Sequence, residues 1–319
     1  MLAKWGLRLV ITACIVLVGY IAVGSWIAAQ GLSNVLRVGA PTAQGSGWPE
    51  PESPADIGYV GDPTAAFGYG FEDVAIETEL GDAPAWLVPD MTASSDRWAI
   101  VVHGIGGRRE NGYRFLPVLH EAGLQVLIIS YRNDVGAPAA PDGLYAFGLT
   151  EWADLDAAVQ YALDHGAMDI VLVGESMGGA IVGQFLLQSS LGDMVSAIVL
   201  DAPALNFGAT AAYRIAAMRM PLAPVIAAGG VWLSGFLLPI RLGDANVSDV
   251  LAGFAGPLFL SHGDRDRVVP VSGSDALAAR RTDVTEYLRT TADHIQSWKI
   301  DPVRYDAALA AFLAEVPAQ

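Results

Sequence analysis

The sequence predicts an α/β fold built on a mainly parallel, buried sheet. Short apolar runs bounded by turn residues recur along it: WAIVVHG (98–104), QVLIISY (125–131), DIVLVGES (169–176), AIVLDAP (197–203) and PLFLSHG (257–263). Strands covered on both faces read as near-continuous Val, Ile and Leu rather than as strict alternation. Helical stretches such as TEWADLDAAVQYALDHG (150–166) and GGAIVGQFLLQSS (178–190) separate them. Strand and helix in alternation make a sheet with helices on both faces. The chain shows no internal repeat and no heptad array.

Upstream of these elements, FEDVAIETELGDAPAWLVP (71–89) reads as a hairpin with Gly81-Asp82 at its turn. The stretch before it, residues 39–68, holds prolines at 41, 49, 51, 54 and 63 and many glycines, without hydrophobic period. We therefore expect a linker over residues 30–68 and a folded domain over 69–319.

The chain has 319 residues, of which 53% are hydrophobic and only 16% charged. With a mean hydropathy of +0.39, it is too apolar for an ordinary soluble domain. The apolar excess begins in the run from Leu9 to Ala29, which carries no charge. Such a helix is about 31 Å long, enough to cross a bilayer core. Lys4 and Arg8 precede it and the next basic residue is Arg37. Residues 1–8 are thus expected in the cytoplasm, 9–29 as a single-pass anchor in the cell membrane, and the rest outside the cytoplasm. A cleaved signal peptide and a secreted product are the alternative. The run exceeds the usual h-region of about 7–15 residues and ends without an A-x-A site, which favours the anchor.

A net charge of −16 excludes a nucleic-acid partner, whose backbone needs clustered positive charge. The single cysteine, Cys14, excludes an internal disulfide and a thiolate metal cluster. A second uncharged run, Met220–Ile240, is long enough to span by hydropathy alone. Pro221, Pro224, Gly229-Gly230 and Pro239 break it into pieces, which suits a bent helical cap, expected over about 207–250.

The chemistry is carried by Gly174-Glu175-Ser176-Met177-Gly178, set between a strand and a helix. A G-x-S-x-G turn in that setting presents its serine on a strained, exposed elbow. A serine hydroxyl is a weak nucleophile and needs an adjacent base. Two later loops follow strands: His262-Gly263-Asp264-Arg265-Asp266-Arg267-Val268-Val269-Pro270, and Asp293-His294-Ile295-Gln296-Ser297-Trp298. Serine, acid, histidine is the chain order found in folds that carry this elbow. The ends of parallel strands are also where an open sheet gathers its site. With only five histidines in the chain, one in that position is informative.

From about Phe71 onward the chain resembles serine esterases and lipases of the α/β-hydrolase fold. Four motifs in order carry the resemblance: HGIGG (103–107), GESMG (174–178), HGDRDRVVP (262–270) and HIQSW (294–298). It implies Ser176 as nucleophile, His294 as general base and Asp266 as the acid, with Asp264 as the alternative acid. It also implies an oxyanion hole from the backbone N–H groups of Ile105 and Met177, with His103 holding the loop. Trp232 and Phe236 of the cap are expected to meet an apolar ester or lipid substrate. No cofactor and no metal are expected. Thioester hydrolysis, acyl transfer, carbon–carbon bond hydrolysis and a non-catalytic binding protein are the other functions this fold could carry. A triad also fixes the reading of Met220–Ile240, because Ser176 and His294 cannot meet across a bilayer.

Overall fold

The computed structural model describes residues 2–40, 50–91 and 95–316, with side chains from residue 4. Pro41 and Pro49 of the expected linker lie outside the described residues.

Eight strands form one sheet: β1 (Glu72–Thr78), β2 (Gly81–Val88), β3 (Arg97–Val102), β4 (Gln125–Ile129), β5 (Asp169–Glu175), β6 (Val195–Asp201), β7 (Leu258–Gly263) and β8 (Thr285–Thr290). Their order is β1-β2-β4-β3-β5-β6-β7-β8. β1 and β2 pair antiparallel, as do β2 and β4. From β4 to β8 every pairing is parallel. The long helices are α1 (Leu2–Val35), α4 (Trp152–Asp164), α5 (Met177–Gln188), α6 (Phe207–Ala217), α7 (Ala223–Ser234), α9 (Val271–Arg280) and α11 (Pro302–Glu315). Short ones are α2 (Pro63–Phe67), α3 (Leu116–Glu121), α8 (Ser248–Gly253) and α10 (Ser297–Ile300).

Successive side chains of a strand point to opposite faces, and here both faces are covered. Trp98, Ile100 and Val102 of β3, with Ile170 and Leu172 of β5, enter one core. Ala99 and Val101 of β3, with Val171 and Val173 of β5, enter the other. Every residue of β5 and β6 is buried, which is why those runs lack polar alternation.

The hairpin turn falls earlier than expected. Thr78 pairs with Gly81, so Glu79 and Leu80 make the turn and Gly81-Asp82 begin β2. The Thr78 hydroxyl donates to the Gly81 carbonyl at 2.7 Å and accepts from the Leu80 N–H at 3.2 Å. This clamp outcompetes the Gly-Asp pair.

The described part of the expected linker, residues 30–40 and 50–68, packs on the domain. Residues 30–35 continue α1 rather than leaving it, because Leu32 packs against the main core and Leu36 is buried in it. Arg37 then bridges to Leu144. Further on, Asp62 caps α2 by accepting from the Ala65 N–H, and the Tyr113 hydroxyl donates to the Gly61 carbonyl at 2.6 Å. Residues 50–68 therefore lie on the domain.

The second apolar run does not form a straight span. It is α7, the return arm of a hairpin with α6 inserted between β6 and β7, where a cap was expected.

Candidate active site

β5 ends at Glu175 and α5 begins at Met177, leaving Ser176 alone at the turn, with φ 51° and ψ −115°. A left-handed φ on a non-glycine residue is strained and needs surroundings that hold it. The Ser176 N–H donates to the Asp201 carbonyl at 2.9 Å, and its own carbonyl accepts from the Ala204 N–H at 2.9 Å. The neighbouring glycines are required by space. A Cβ on Gly178 would lie 2.1 Å from the Val102 carbonyl oxygen, and one on Gly174 would lie 2.8 Å from the Gly179 nitrogen. The first turn of α5 thus presses directly onto the end of β3.

Beneath the elbow lies a buried ionic cluster that sequence reasoning missed. Glu175 ends β5 and Asp201 ends β6, side by side in register. Two buried carboxylates repel unless a cation joins them. Arg114 does so: it pairs with Glu175, and its Nε donates to Asp201 Oδ2 at 3.0 Å. Burial works against the guanidinium charge, but the two carboxylates outweigh it and hold Arg114 above its ordinary value. The Ser261 hydroxyl donates to the other Asp201 oxygen at 2.8 Å. The signal was present as two acids ending adjacent apolar runs, without a marker of which arginine would answer them.

Three loops at the C-terminal ends of β5, β7 and β8 bring Ser176, Asp266 and His294 together. His294 Nε2 lies 2.9 Å from Ser176 Oγ, and its Nδ1 lies 2.7 Å from Asp266 Oδ2. Asp266 Oδ1 accepts from the N–H groups of Val268 and Val269 at 2.7 and 2.8 Å. Asp264, the alternative acid, is exposed and has no part in this chain of bonds. Its backbone N–H donates to the Thr290 carbonyl at 2.9 Å.

A second histidine holds the acid. Nε2 of the buried His262 lies 3.0 Å from the same Asp266 Oδ2, and its Nδ1 lies 2.7 Å from the Ser274 hydroxyl. Burial pushes the Asp266 carboxyl up, but the hydrogen bonds from His262 and His294 outweigh it and leave it well below the usual range. Asp266 is thereby kept ionised. The HGD motif pointed to the acid loop, while the part played by its own histidine was missed.

His103 sits on the other wall, stacked on Tyr131 with ring centroids 4.5 Å apart. Its Nδ1 faces the Gly104 carbonyl and its Nε2 faces Asp134, each at 2.9 Å. Both ring nitrogens thus meet acceptors. Burial disfavours the charged ring, but Asp134 and the two hydrogen bonds raise its pKa. The ring fixes the loop that carries Ile105 and makes no bond to the triad. Met177 is buried as the first residue of α5, and an N–H there has no partner within its helix.

The site is covered. Ser176 is 4% exposed and His294 1% exposed. Ile57, from the expected linker, is buried in a small cluster with Ala202 and Ile295, the latter adjoining His294. Lys299 bonds Asp56 at 2.7 Å, tying the same segment down. From the cap, the Tyr213 hydroxyl donates to the Asp266 carbonyl at 2.7 Å. Trp232 and Phe236 lie elsewhere: both are more than two-thirds exposed and pack edge to face on each other at 5.0 Å. The structure does not bring them to the triad.

Residues 99–224 match the family described as alpha/beta hydrolase fold. Uncharacterized proteins of Mycobacterium tuberculosis are 26% identical over 220 residues, covering 68% of this chain and 69% of theirs. Among solved structures, the Pyrococcus furiosus esterase Pf2001 aligns with a TM-score of 0.62 at 22% identity, covering 81% of this chain and 96% of that one. A thermophilic esterase from Thermogutta terrifontis aligns at 0.53 and 17% identity, covering 77% and 99%. A meta-cleavage product hydrolase from Pseudomonas fluorescens aligns at 0.56 and 15% identity, covering 78% and 99%. At these identities the likeness establishes the fold.

Proposed function

This chain is an α/β-hydrolase-fold protein, and from that premise we propose that it is a membrane-anchored serine hydrolase cleaving carboxylic esters through Ser176, His294 and Asp266. The observation that carries the reading is the continuous chain of contacts, 2.9 Å from Ser176 Oγ to His294 Nε2 and 2.7 Å from His294 Nδ1 to Asp266 Oδ2. In this reading His294 takes the hydroxyl proton as Ser176 Oγ attacks the acyl carbonyl. The ionised Asp266 fixes the imidazole tautomer and stabilises the imidazolium. The N–H groups of Ile105 and Met177 hold the oxyanion, each such donor contributing about 2.7–4 kcal/mol to the transition state. The proton on His294 passes to the departing alkoxide, leaving an acyl group on Ser176. Water, deprotonated by His294, then releases the acid and regenerates the hydroxyl.

α1 supports the anchor. From Lys4 to Gly19 its side chains are exposed, and it is the one described helix long and apolar enough to cross a membrane. The membrane is that of the cell, with Lys4 and Arg8 on the cytoplasmic side and the catalytic domain outside. An apolar acyl or lipid substrate follows from an anchor that holds the site beside the bilayer.

Turnover of short- and long-chain p-nitrophenyl esters tests the reading. Ser176→Ala should lower it about 10⁴-fold or more. Wild-type enzyme should turn over long-chain esters faster than short-chain ones, and the reverse order would remove the apolar substrate. Wild-type enzyme that turns over thioesters or carbon–carbon substrates but no oxygen ester would overturn the ester assignment.

A further inference from the structure

The α6–α7 hairpin and α1 pack as parallel neighbours. The Tyr20 hydroxyl donates to the Pro221 carbonyl at 2.9 Å. Further along, a Cβ on Gly24 would meet Ile226 at 3.0 Å, one on Gly229 would meet Ser25, and one on Gly230 would meet Ala28. Position rises together on both helices, so α7 runs alongside the second half of α1. Its near end, the turn from Met218 to Leu222, lies level with Tyr20. Small residues at each crossing let the two backbones approach closely.

This packing sets where α1 can cross a bilayer. If residues 9–29 were the span, Tyr20 would lie at mid-bilayer, and the turn beside it would carry Arg219 into the hydrocarbon. A guanidinium at that depth is strongly unfavourable, and arginine reaches back to the interface only over its own length. The free part of α1 offers a better register. Lys4 to Ala22 amounts to about 28 Å of helix, a full hydrocarbon thickness. Trp5 and Tyr20 then fall near the two interfaces, where such amphipathic rings concentrate.

We propose that the span is the first part of α1, about residues 4–22, with Lys4 and Arg8 reaching back along their own length to the cytoplasmic headgroups, and that the α6–α7 turn rests on the anionic headgroups where α1 emerges. This rests on the anchor reading given above. The charge distribution picks the partner. The chain has a net charge of −16, yet Ala202–Gly243 contains three arginines, Arg214, Arg219 and Arg241, and no Asp or Glu. The turn also presents exposed Met218 and Leu222 beside exposed Arg219. Apolar side chains next to a cation, with no acid, are the pattern of a surface seated at an anionic interface. The cap of the hydrolase would then draw its substrate from the leaflet it rests on.

The test uses the full chain with Cys14→Ser and one new cysteine at a time: Met218→Cys at the turn, Leu17→Cys in the span, Asp82→Cys far from both. Each is labelled with an environment-sensitive fluorophore and reconstituted into phosphatidylcholine/phosphatidylglycerol vesicles. The label at 17 should be quenched by nitroxides deep in the acyl chains. The label at 218 should be quenched by headgroup nitroxides and be several-fold less accessible to aqueous iodide than the label at 82. Adding Arg219→Ser should remove the difference between vesicles with and without phosphatidylglycerol. A label at 218 as open to iodide as that at 82, with 17 lipid-quenched, would overturn the proposal and leave the anchor standing. No lipid quenching at 17 would overturn both.

Discussion

In the α/β body, burial comes with neutralised charge; in the α1–hairpin assembly, it comes with small side chains and no charge. β5 and β6 are buried along their whole length and end in Glu175 and Asp201, which Arg114 holds together. Where α1 crosses α7, the buried residues are Gly24, Ser25 and Ala29 against Ile226, Ala227 and Gly230. Beside them Trp26 and Ile27 of α1 and Trp232 of α7 face outward. Such ionic pairing supports a rigid site, because breaking a buried pair is costly. Close packing of small residues needs no hydrophobic contrast with its surroundings and works as well against lipid as against water. The two regions are thus held together by different means, and each can be broken by its own kind of substitution.

The largest effect is expected at Arg114. Arg114→Leu leaves Glu175 and Asp201 buried without their cation, and should cost about 3–5 kcal/mol, read as a fall in the thermal midpoint. A change within the range of ordinary surface substitutions would show that the cluster is not a structural element of the body. Next comes His262→Ala, which removes one of two hydrogen bonds to Asp266 Oδ2. Ser176, His294 and Asp266 keep their places, so kcat should fall by about 10-fold or more with KM little changed. Loss confined to KM would contradict the positioning role.

Acid should act in the same place. The Asp266 carboxyl is lower in the folded chain than its ordinary 3.8, so its contribution to stability is present above about pH 4 and is lost as pH falls below it. A wild-type and Asp266→Asn comparison should therefore show a smaller acid-induced drop for the variant.

The smallest effect on the body is expected at the helix crossing. Gly230→Leu would drive a side chain into Ala28, whose Cβ already lies 2.7 Å from where a Cβ would stand. Overpacking of that kind costs about 1–3 kcal/mol. Hydrogen exchange should quicken over residues 20–35 and 223–234 while β5, β6 and β7 keep their protection. Equal loss of protection across the sheet would show that the two regions form one cooperative unit.

The sequence made the body far more legible than the assembly beside it. Ser176 and Asp266 could be placed because each follows a strand whose apolar run is unmistakable, and His294, after the more polar β8, by chain order and the scarcity of histidine; a parallel sheet gathers those strand ends by construction. Partners within the core left no such mark. Arg114 stands in a short 3-10 turn, Arg109–Arg114, with no period or motif to mark it, and His262 opens a quoted motif, but nothing in the motif said that its ring would bond Asp266. Residues 30–35 read as linker because the apolar run of the anchor ends at Ala29. Tertiary burial of Leu32 and Leu36 extends the helix regardless. The aromatic pair Trp232 and Phe236 suggested a lining by composition, whereas the face a helix presents depends on its neighbour, and here α1 takes the small-residue face.

Fluorophosphonate labelling of the full chain addresses the central claim, an activated Ser176, without knowledge of the substrate. Wild-type protein should acquire one covalent label on Ser176. His294→Ala should slow labelling by orders of magnitude, and Ser176→Ala should abolish it while keeping the wild-type thermal midpoint. Folded wild-type protein that stays unlabelled, or a label that persists in Ser176→Ala, would contradict the account.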